Sequence, residues 1–341
     1  MHPFFRRMRH RAAVVISSLA ILSLASLVVA GMTGSVPVPL ADMPAALGEL
    51  ARGSNGTLAA TLLELRLSRA LVAFVTGAAL ALAGVMMQAL LRNPLADPYV
   101  LGISAGASVG ALASLLFMAA LWVIDAAAFA GAVAVSMMLY LLARRDLRGG
   151  GAAEGGTSLL LLTGVILSSL CMAMVTLMLS IAPESRLRSM VFWMIGDLAG
   201  APLRWVPWLV LFAGIVFALR SARSLNVLAL HAEAASTLGI NVGALRKGLF
   251  FCSGLLTASA VTSAGSIGFV GLIVPHACRF ACGPDHRVLI PAATLAGGSF
   301  LVLADTLART VLAPQQLPVG VVTALIGAPV FLYQLHRLHR K

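Results

Sequence analysis

Arg66 and Arg69 stand three residues apart in "ELRLSRAL", a spacing that sets both guanidiniums on one helix face. Asp305 and Arg309 are i and i+4 in "LADTLART", a second one-face pair of opposite charge. Both sets lie against long apolar runs, where an unpaired charge costs roughly 2.5–3.5 kcal/mol near mid-bilayer. Pairing with Arg309 therefore accounts for Asp305, the only carboxylate deep inside an apolar run, and a single carboxylate is too few for a proton relay. Snorkelling explains each arginine singly, whereas a cationic rim that receives acidic groups of a partner explains Arg66, Arg69 and Arg309 together. A third candidate is the alanine-rich "LHAEAASTLG" from Leu230 to Gly239. It is short and helix-prone, with Gly239 as a C-cap. Such a helix suits docking into a groove on another protein or lying on the membrane surface, and the residues alone weigh the two equally.

Other chemistry is not expected. No G-x-x-x-x-G-K-[ST] loop occurs and neither lysine follows a glycine, so the chain does not hold ATP in the P-loop manner. No Ser/His/Asp or Cys/His constellation stands out, so no catalytic residues are assigned. "HACRFAC" (His276 to Cys282) matches no compact zinc spacing, and no metal ligands are assigned. The four cysteines, Cys171, Cys252, Cys278 and Cys282, sit in or beside apolar runs and form no extracellular disulfide framework.

The elements that carry these residues belong in lipid. Of 341 residues 60% are apolar and 11% charged, with mean hydropathy +0.98; soluble chains run at roughly 45–50% apolar and ~25% charged. Spans are expected near 12–33, 66–91, 99–118, 121–142, 158–181, 206–220, 247–264, 268–282, 289–308 and 319–336, each near the ~20 residues a crossing needs. The segments at 206–220 and 268–282 are short and are expected to extend into their flanks. The stretch 182–205 is apolar enough for a half-inserted helix only. The apolar run after "MHPFFRRMRHR" exceeds a signal peptide's core of about 7–15 residues and suits an uncleaved first helix. Ten crossings put both termini on one side. With the N-terminus inside, seventeen of the 24 Arg and Lys fall in inner segments and seven in outer ones. The net charge of +12 is then a topology signal; few aromatics interleave with it, so no nucleic-acid partner is expected. One transmembrane domain over 1–341 follows, with 1–11 as a cytoplasmic N-terminus and 221–246 as a cytoplasmic loop.

"RNPLADPYVLG" (Arg92 to Gly102) breaks two apolar runs. Pro94 and Pro98 cannot donate backbone hydrogen bonds and bias Asn93 and Asp97 away from helix. Irregular backbone at that depth requires burial in protein or a wet cavity. Gly102, Gly106 and Gly110 recur every four residues, and Gly77, Ala81 and Gly84 form a second small-residue ridge. Both predict helices packed backbone to backbone.

From Leu65 to Leu335 the chain resembles the permease subunits of type II ABC importers for iron–siderophores, haem and vitamin B12. The resemblance rests on "RLSRALVAFVTGAALALAGVMMQALLRNPLADPYVLGISAGA", "ALHAEAASTLGIN", "GSIGFVGLIVPHACRFACGPDHRVLIP", "LADTLAR" and "LPVGVVTALIGAPVF", several blocks in the family's order. It implies an all-α integral membrane fold of about ten helices, paired as a homodimer in the bacterial inner membrane with both termini cytoplasmic. It implies two cytoplasmic ATPase subunits, which use the ATP and Mg, no cofactor on this chain, and a periplasmic binding protein that delivers cargo. By the same resemblance Arg66, Arg69 and Arg309 dock the binding protein. Leu230, His231, Glu233, Ala234, Ala235, Leu238 and Gly239 couple to the ATPase, and Thr163, Gly164 and Ser168 line the path. The family usually has Pro at Ser68, Gly at His231 and commonly Glu at Gln316. An iron(III)–siderophore is the expected cargo, with vitamin B12 or haem as alternatives. A gradient-driven secondary transporter is the reading from another class; it needs buried ion ligands or inverted repeats, and neither is evident.

Overall fold

Runs of alanine, leucine and valine too long for strands, punctuated by proline and glycine, dictate helices, and helices are the only regular elements among the residues that the computed structural model describes. These are 3–148, 154–230 and 232–339, excepting the side chains of 3–11, 40, 145–148, 154–158, 230, 232–234, 335 and 337–339. The helices are α1 (Pro3–Met32), α2 (Met43–Ala51), α3 (Leu58–Leu91), α4 (Ile103–Leu116), α5 (Leu121–Arg148), α6 (Glu154–Ile181) and α7 (Glu184–Ile195). There follow α8 (Val206–Leu230), α9 (Ala232–Thr237), α10 (Val242–Ala264), α11 (Val270–Cys282), α12 (His286–Thr310) and α13 (Val319–His339).

Each of the ten expected segments falls on a helix. Six, namely α1, α3, α5, α6, α8 and α12, are long and apolar enough to cross a membrane; α4, α11 and α13 are shorter apolar helices, and α10 accounts for the tenth segment. The 12-residue α7 occupies the stretch expected to be too short to cross. Two expectations need correction. The proposed loop over 221–246 is mostly helix, because "SARSLNVLAL" holds no glycine or proline and α8 runs on to Leu230; only 231–241 separates it from α10. The 268–282 segment does not lengthen: Phe269 at φ 71° starts α11 and Gly283 at φ 86° ends it, leaving 13 residues.

The bundle is organised on α3. Its 34 residues span about 51 Å at 1.5 Å per residue, well beyond the ~30 Å hydrocarbon core. The extra turns before Arg66 are capped by Thr57, whose hydroxyl accepts from Ala60 N–H at 3.2 Å, and pack Ala60 and Leu63 against Met43 and Ala46 of α2. Helices α1, α8, α10, α11 and α12 surround the rest. The two ridges are where backbones meet. A Cβ on Gly77 would overlap the Gly297 carbonyl of α12, one on Gly84 the Gly271 carbonyl of α11, and one on Gly110 the Ala127 carbonyl of α5.

The turn after α3 is tightly held. Arg92 sits at φ 48° as the C-cap, Asn93 Oδ1 accepts from Leu95 N–H at 2.9 Å, and Asp97 Oδ1 accepts from Tyr99 N–H at 2.8 Å. The Tyr99 hydroxyl accepts from Ile267 N–H at 3.2 Å, joining the turn to the α10–α11 connection. Burial pushes the Asp97 carboxyl up to about 6, against the opposing Tyr99 N–H bond.

Candidate functional site

At the N-terminal end of α3 the predicted arginines come together. Arg66, Arg69, Arg309 and Gln316 line a cavity of about 520 Å³ with Val36 and the 198–202 stretch. Two of the three arginines are buried. Arg66 is 6% exposed and Arg309 4%, and both serve the end of α1. The last carbonyls of a helix lack intrahelical partners and carry negative partial charge. Arg66 Nη1 donates to Met32 O at 3.1 Å and to Gly31 O at 3.4 Å, with Nη2 on Val36 O, and Arg309 Nη2 donates to Ala30 O at 2.6 Å.

Asp305 keeps its i+4 ion pair with Arg309 and gains a closer partner on another helix. Arg69 Nε donates to both carboxylate oxygens at 3.0 Å and Nη2 to Oδ1 at 2.8 Å, while Arg309 Nε stands 3.6 Å away. The close pair therefore bridges α3 and α12, an inter-helix contact that no spacing within one helix could reveal. Arg69 Nη1 also donates to Gln316 Oε1 at 2.8 Å, so Gln316 is part of the network rather than an incidental loop residue. Three guanidiniums against one carboxylate leave the cluster with an excess of two positive charges. Arg69, with 13% of its side chain exposed, is the member best placed to present that excess.

At the other end of α3, Arg92 Nη2 donates to Leu228 O at 3.1 Å, next to the alanine-rich segment. Helix α9 packs on α8 and α10, with Ala235 fully buried and Leu238 70% exposed. Gly239 at φ 79° ends it as expected. Its N–H bonds Ser236 O at 2.9 Å and Ile240 N–H bonds Ala235 O at 3.0 Å, the paired bonds of a glycine C-cap. Asn241 then caps α10 through Ala244 N–H at 2.9 Å. His231 lies outside the described residues, as do the side chains of Leu230, Glu233 and Ala234.

Two of the three path candidates pack against the turn before α4. Gly164 packs on Val100 and Leu101, a Cβ there meeting Val100 O at 3.0 Å, and Ser168 borders Gly102 while donating to Gly164 O at 2.8 Å. Thr163 bonds Leu159 O within its own helix at 2.8 Å. The open face of α6 instead carries Ser169, Ala173, Thr176 and Ser180, a small and polar stripe among exposed Leu170, Met174 and Leu177. Each hydroxyl donates to its i−4 carbonyl, which makes the stripe compatible with an apolar setting. Its i, i+4, i+7, i+11 spacing was readable in the sequence.

An all-helical protein rich in long apolar helices, with an arginine cluster at one end of its central helix and a short alanine-rich helix near the other, has the build of a transport permease. The FecCD transport family matches residues 19–337, and the chain belongs to it. It is 41% identical over 278 residues to the cobalamin import system permease protein BtuC of Halobacterium salinarum, covering 80% of this chain and 72% of that one. It is 38% identical to the vitamin B12 import system permease protein BtuC of Shigella boydii across 94% of both chains. Among solved structures, an inward-facing conformation assigned to a metal-chelate type ABC transporter superposes with TM-score 0.78 at 29% identity, over 95% of this chain and 99% of that one. PsaBC from Streptococcus pneumoniae shares the fold at 17% identity, with TM-score 0.57 over 84% of this chain and 94% of that one. The chain is thus a multi-pass permease subunit of an ABC importer and not itself an enzyme.

Proposed function

We propose that this permease imports a metal chelate across the inner membrane by alternating access, as one of two copies paired with two ATPase subunits and a periplasmic binding protein. The reading is carried by the arrangement along α3: the arginine cluster at its start, and at its end Arg92 bonded to the α8 carbonyl four residues before α9. The cluster side is then the outer mouth, both termini are cytoplasmic, and the whole chain works as one transmembrane domain. The hydroxyl stripe of α6 faces the path between the copies, and the bound ATPases push on α9 through Leu238. For cargo, relatives named for vitamin B12 import favour cobalamin over the iron(III)–siderophore or haem otherwise expected of the family's range. Asp305 gives no support to gradient-driven transport, since its carboxylate is committed to Arg69.

Reconstitution tests this directly. Vesicles holding the permease and its ATPases, with binding protein outside and ATP inside, are expected to accumulate labelled cobalamin, and Leu238→Asp is expected to abolish accumulation and release the ATPase on purification. Accumulation without the ATPases would refute the reading. A narrower result concerns docking: Arg69→Gln removes the one partly exposed charge of the cluster and keeps an amide that can donate to Asp305. Stimulation of ATPase activity by loaded binding protein should fall about tenfold, the size of a lost charge-assisted contact of roughly 1.5 kcal/mol. Basal ATPase activity unchanged and stimulation unchanged together would remove Arg69 from the docking surface.

A further inference from the structure

A second cavity, of about 470 Å³, opens at the C-terminal end of α3, between α8, α11 and the start of α12. Its polar lining is unusual in being unanswered. Gln88 Oε1, both ring nitrogens of His276 and His286 Nε2 are buried without hydrogen-bond partners, in side chains 3%, 4% and 4% exposed. A buried polar atom left unpaired costs about 1–3 kcal/mol, so a site that gathers several implies a ligand that answers them.

The hydrogen bonds fix which of these atoms donate. Asn226 Nδ2 donates to Asp285 Oδ1 at 2.7 Å, which orients the amide and leaves Asn226 Oδ1 as an acceptor. That oxygen receives His286 N–H at 2.9 Å and faces His286 Nδ1 at 2.8 Å, so Nδ1 carries the ring proton and Nε2 is an acceptor. Gln88 Nε2 donates to Leu272 O at 3.3 Å, leaving Oε1 also as an acceptor. On the donor side stand the His276 N–H and the guanidiniums of Arg92 and Arg279, of which Arg92 spends one N–H on Leu228 O. Asp285, the carboxylate that precedes His286, is engaged by Asn226 and by Arg287 N–H at 3.0 Å. The cavity therefore asks for an anion that two guanidiniums can hold, carrying hydroxyls that can donate to Gln88 and His286. The remaining lining is apolar, Ala89, Pro94 and Pro284 among it, with Phe280 56% exposed, and it lies where two membrane helices end.

We propose that this cavity binds the phosphoglycerol headgroup of an anionic phospholipid, its phosphodiester on Arg92 and Arg279 and its glycerol hydroxyls on Gln88 and His286, with the acyl chains leaving past Phe280. Basic pockets at helix ends suit such headgroups. An ammonium headgroup would meet two arginines, and a choline has no hydroxyl to offer. The importer reading assigns only the side of the membrane; the chemistry of the cavity stands without it.

The test is native mass spectrometry of the full permease in detergent, titrated with phosphatidylglycerol, phosphatidylcholine or inorganic phosphate. Wild-type protein is expected to retain one phosphatidylglycerol per chain in preference to phosphatidylcholine. Arg279→Gln should weaken retention about tenfold. Ala229→Trp, which plugs the cavity without altering its charge, should weaken it similarly while the melting temperature stays near wild type. Equal retention by wild type and both variants would overturn the proposal, as would equal retention of phosphatidylcholine. Binding of inorganic phosphate without lipid would replace the headgroup with a free anion. Release of the ATPase by Arg279→Gln with lipid retention unchanged would assign the cavity to a partner's carboxylate. None of these readouts requires transport, so a failed uptake assay and a failed lipid site are separate results.

Discussion

Asp305→Ala should destabilise the folded permease by about 3–5 kcal/mol, the cost of leaving a buried charge without its partner. The carboxylate is 1% exposed and holds three contacts from Arg69, with Arg309 at 3.6 Å. Removing it strands two guanidiniums between α3 and α12. Arg309 keeps its bond to Ala30 O, so the main penalty falls on Arg69, whose remaining partner is Gln316. Replacing both partners together, Arg69→Leu with Asp305→Ala, removes the uncompensated charge and should recover roughly half of the loss. The measurement is thermal unfolding of purified variants in detergent, read as a double-mutant cycle. A coupling energy below about 0.5 kcal/mol, within the range of non-interacting sites, would show that the pair is structurally idle. The same cycle separates scaffold from docking: if the double variant folds well but loses stimulation by the binding protein, the excess charge of the cluster has a role beyond holding helices.

The extent to which the site was readable follows from where each interaction lies along the chain. Helix positions came from local composition, and all ten segments fall on helices because hydropathy and glycine or proline punctuation act within a few residues. Hydropathy does not say which side of a helix meets lipid. The spans at 12–32 and 58–91 have mean hydropathies of 2.5 and 2.2, yet the most apolar stretch of the first is 11% buried and that of the second 89%. In water a buried helix is betrayed by its apolar circumference, but in a bilayer lipid-facing and core helices are both apolar all round. What the sequence did show of α3 is its glycine ridge, a packing signal rather than a hydropathy signal, and one that α4 shares. The arginines were identifiable, but their partners were not. Arg66 meets carbonyls over thirty residues away and Arg69 meets Asp305 across 236 positions, where no periodicity operates. The donor and acceptor pattern around Gln88 and His286 was hidden for the same reason, since it depends on how Asn226 is oriented by Asp285.

Gly84→Val should abolish accumulation of folded protein, and even Gly84→Ala should cost about 3 kcal/mol, the upper end of ordinary overpacking. The position faces the first turn of α11, where the Gly271 carbonyl occupies the space a Cβ would need, with Gly271 Cα also too close at 2.8 Å. Backbone cannot yield as a flexible side chain would, and α11 has little room to retreat, because Gly271 is itself wedged against Leu80 O and Pro98. A displaced α11 would pull on the turn after α3, which Tyr99 ties to Ile267. Gly48 supplies the control. It lies within α2 with nothing inside 4 Å of an added Cβ, so Gly48→Ala should leave stability equal or raise it by about 0.5–1 kcal/mol through helix propensity alone. Gel-filtration yield and melting temperature of the three variants decide the matter. If Gly84→Ala melts with the wild type while Gly48→Ala behaves as expected, α3 and α11 do not meet backbone to backbone. The glycine ridge would then lose its claim to organise the bundle.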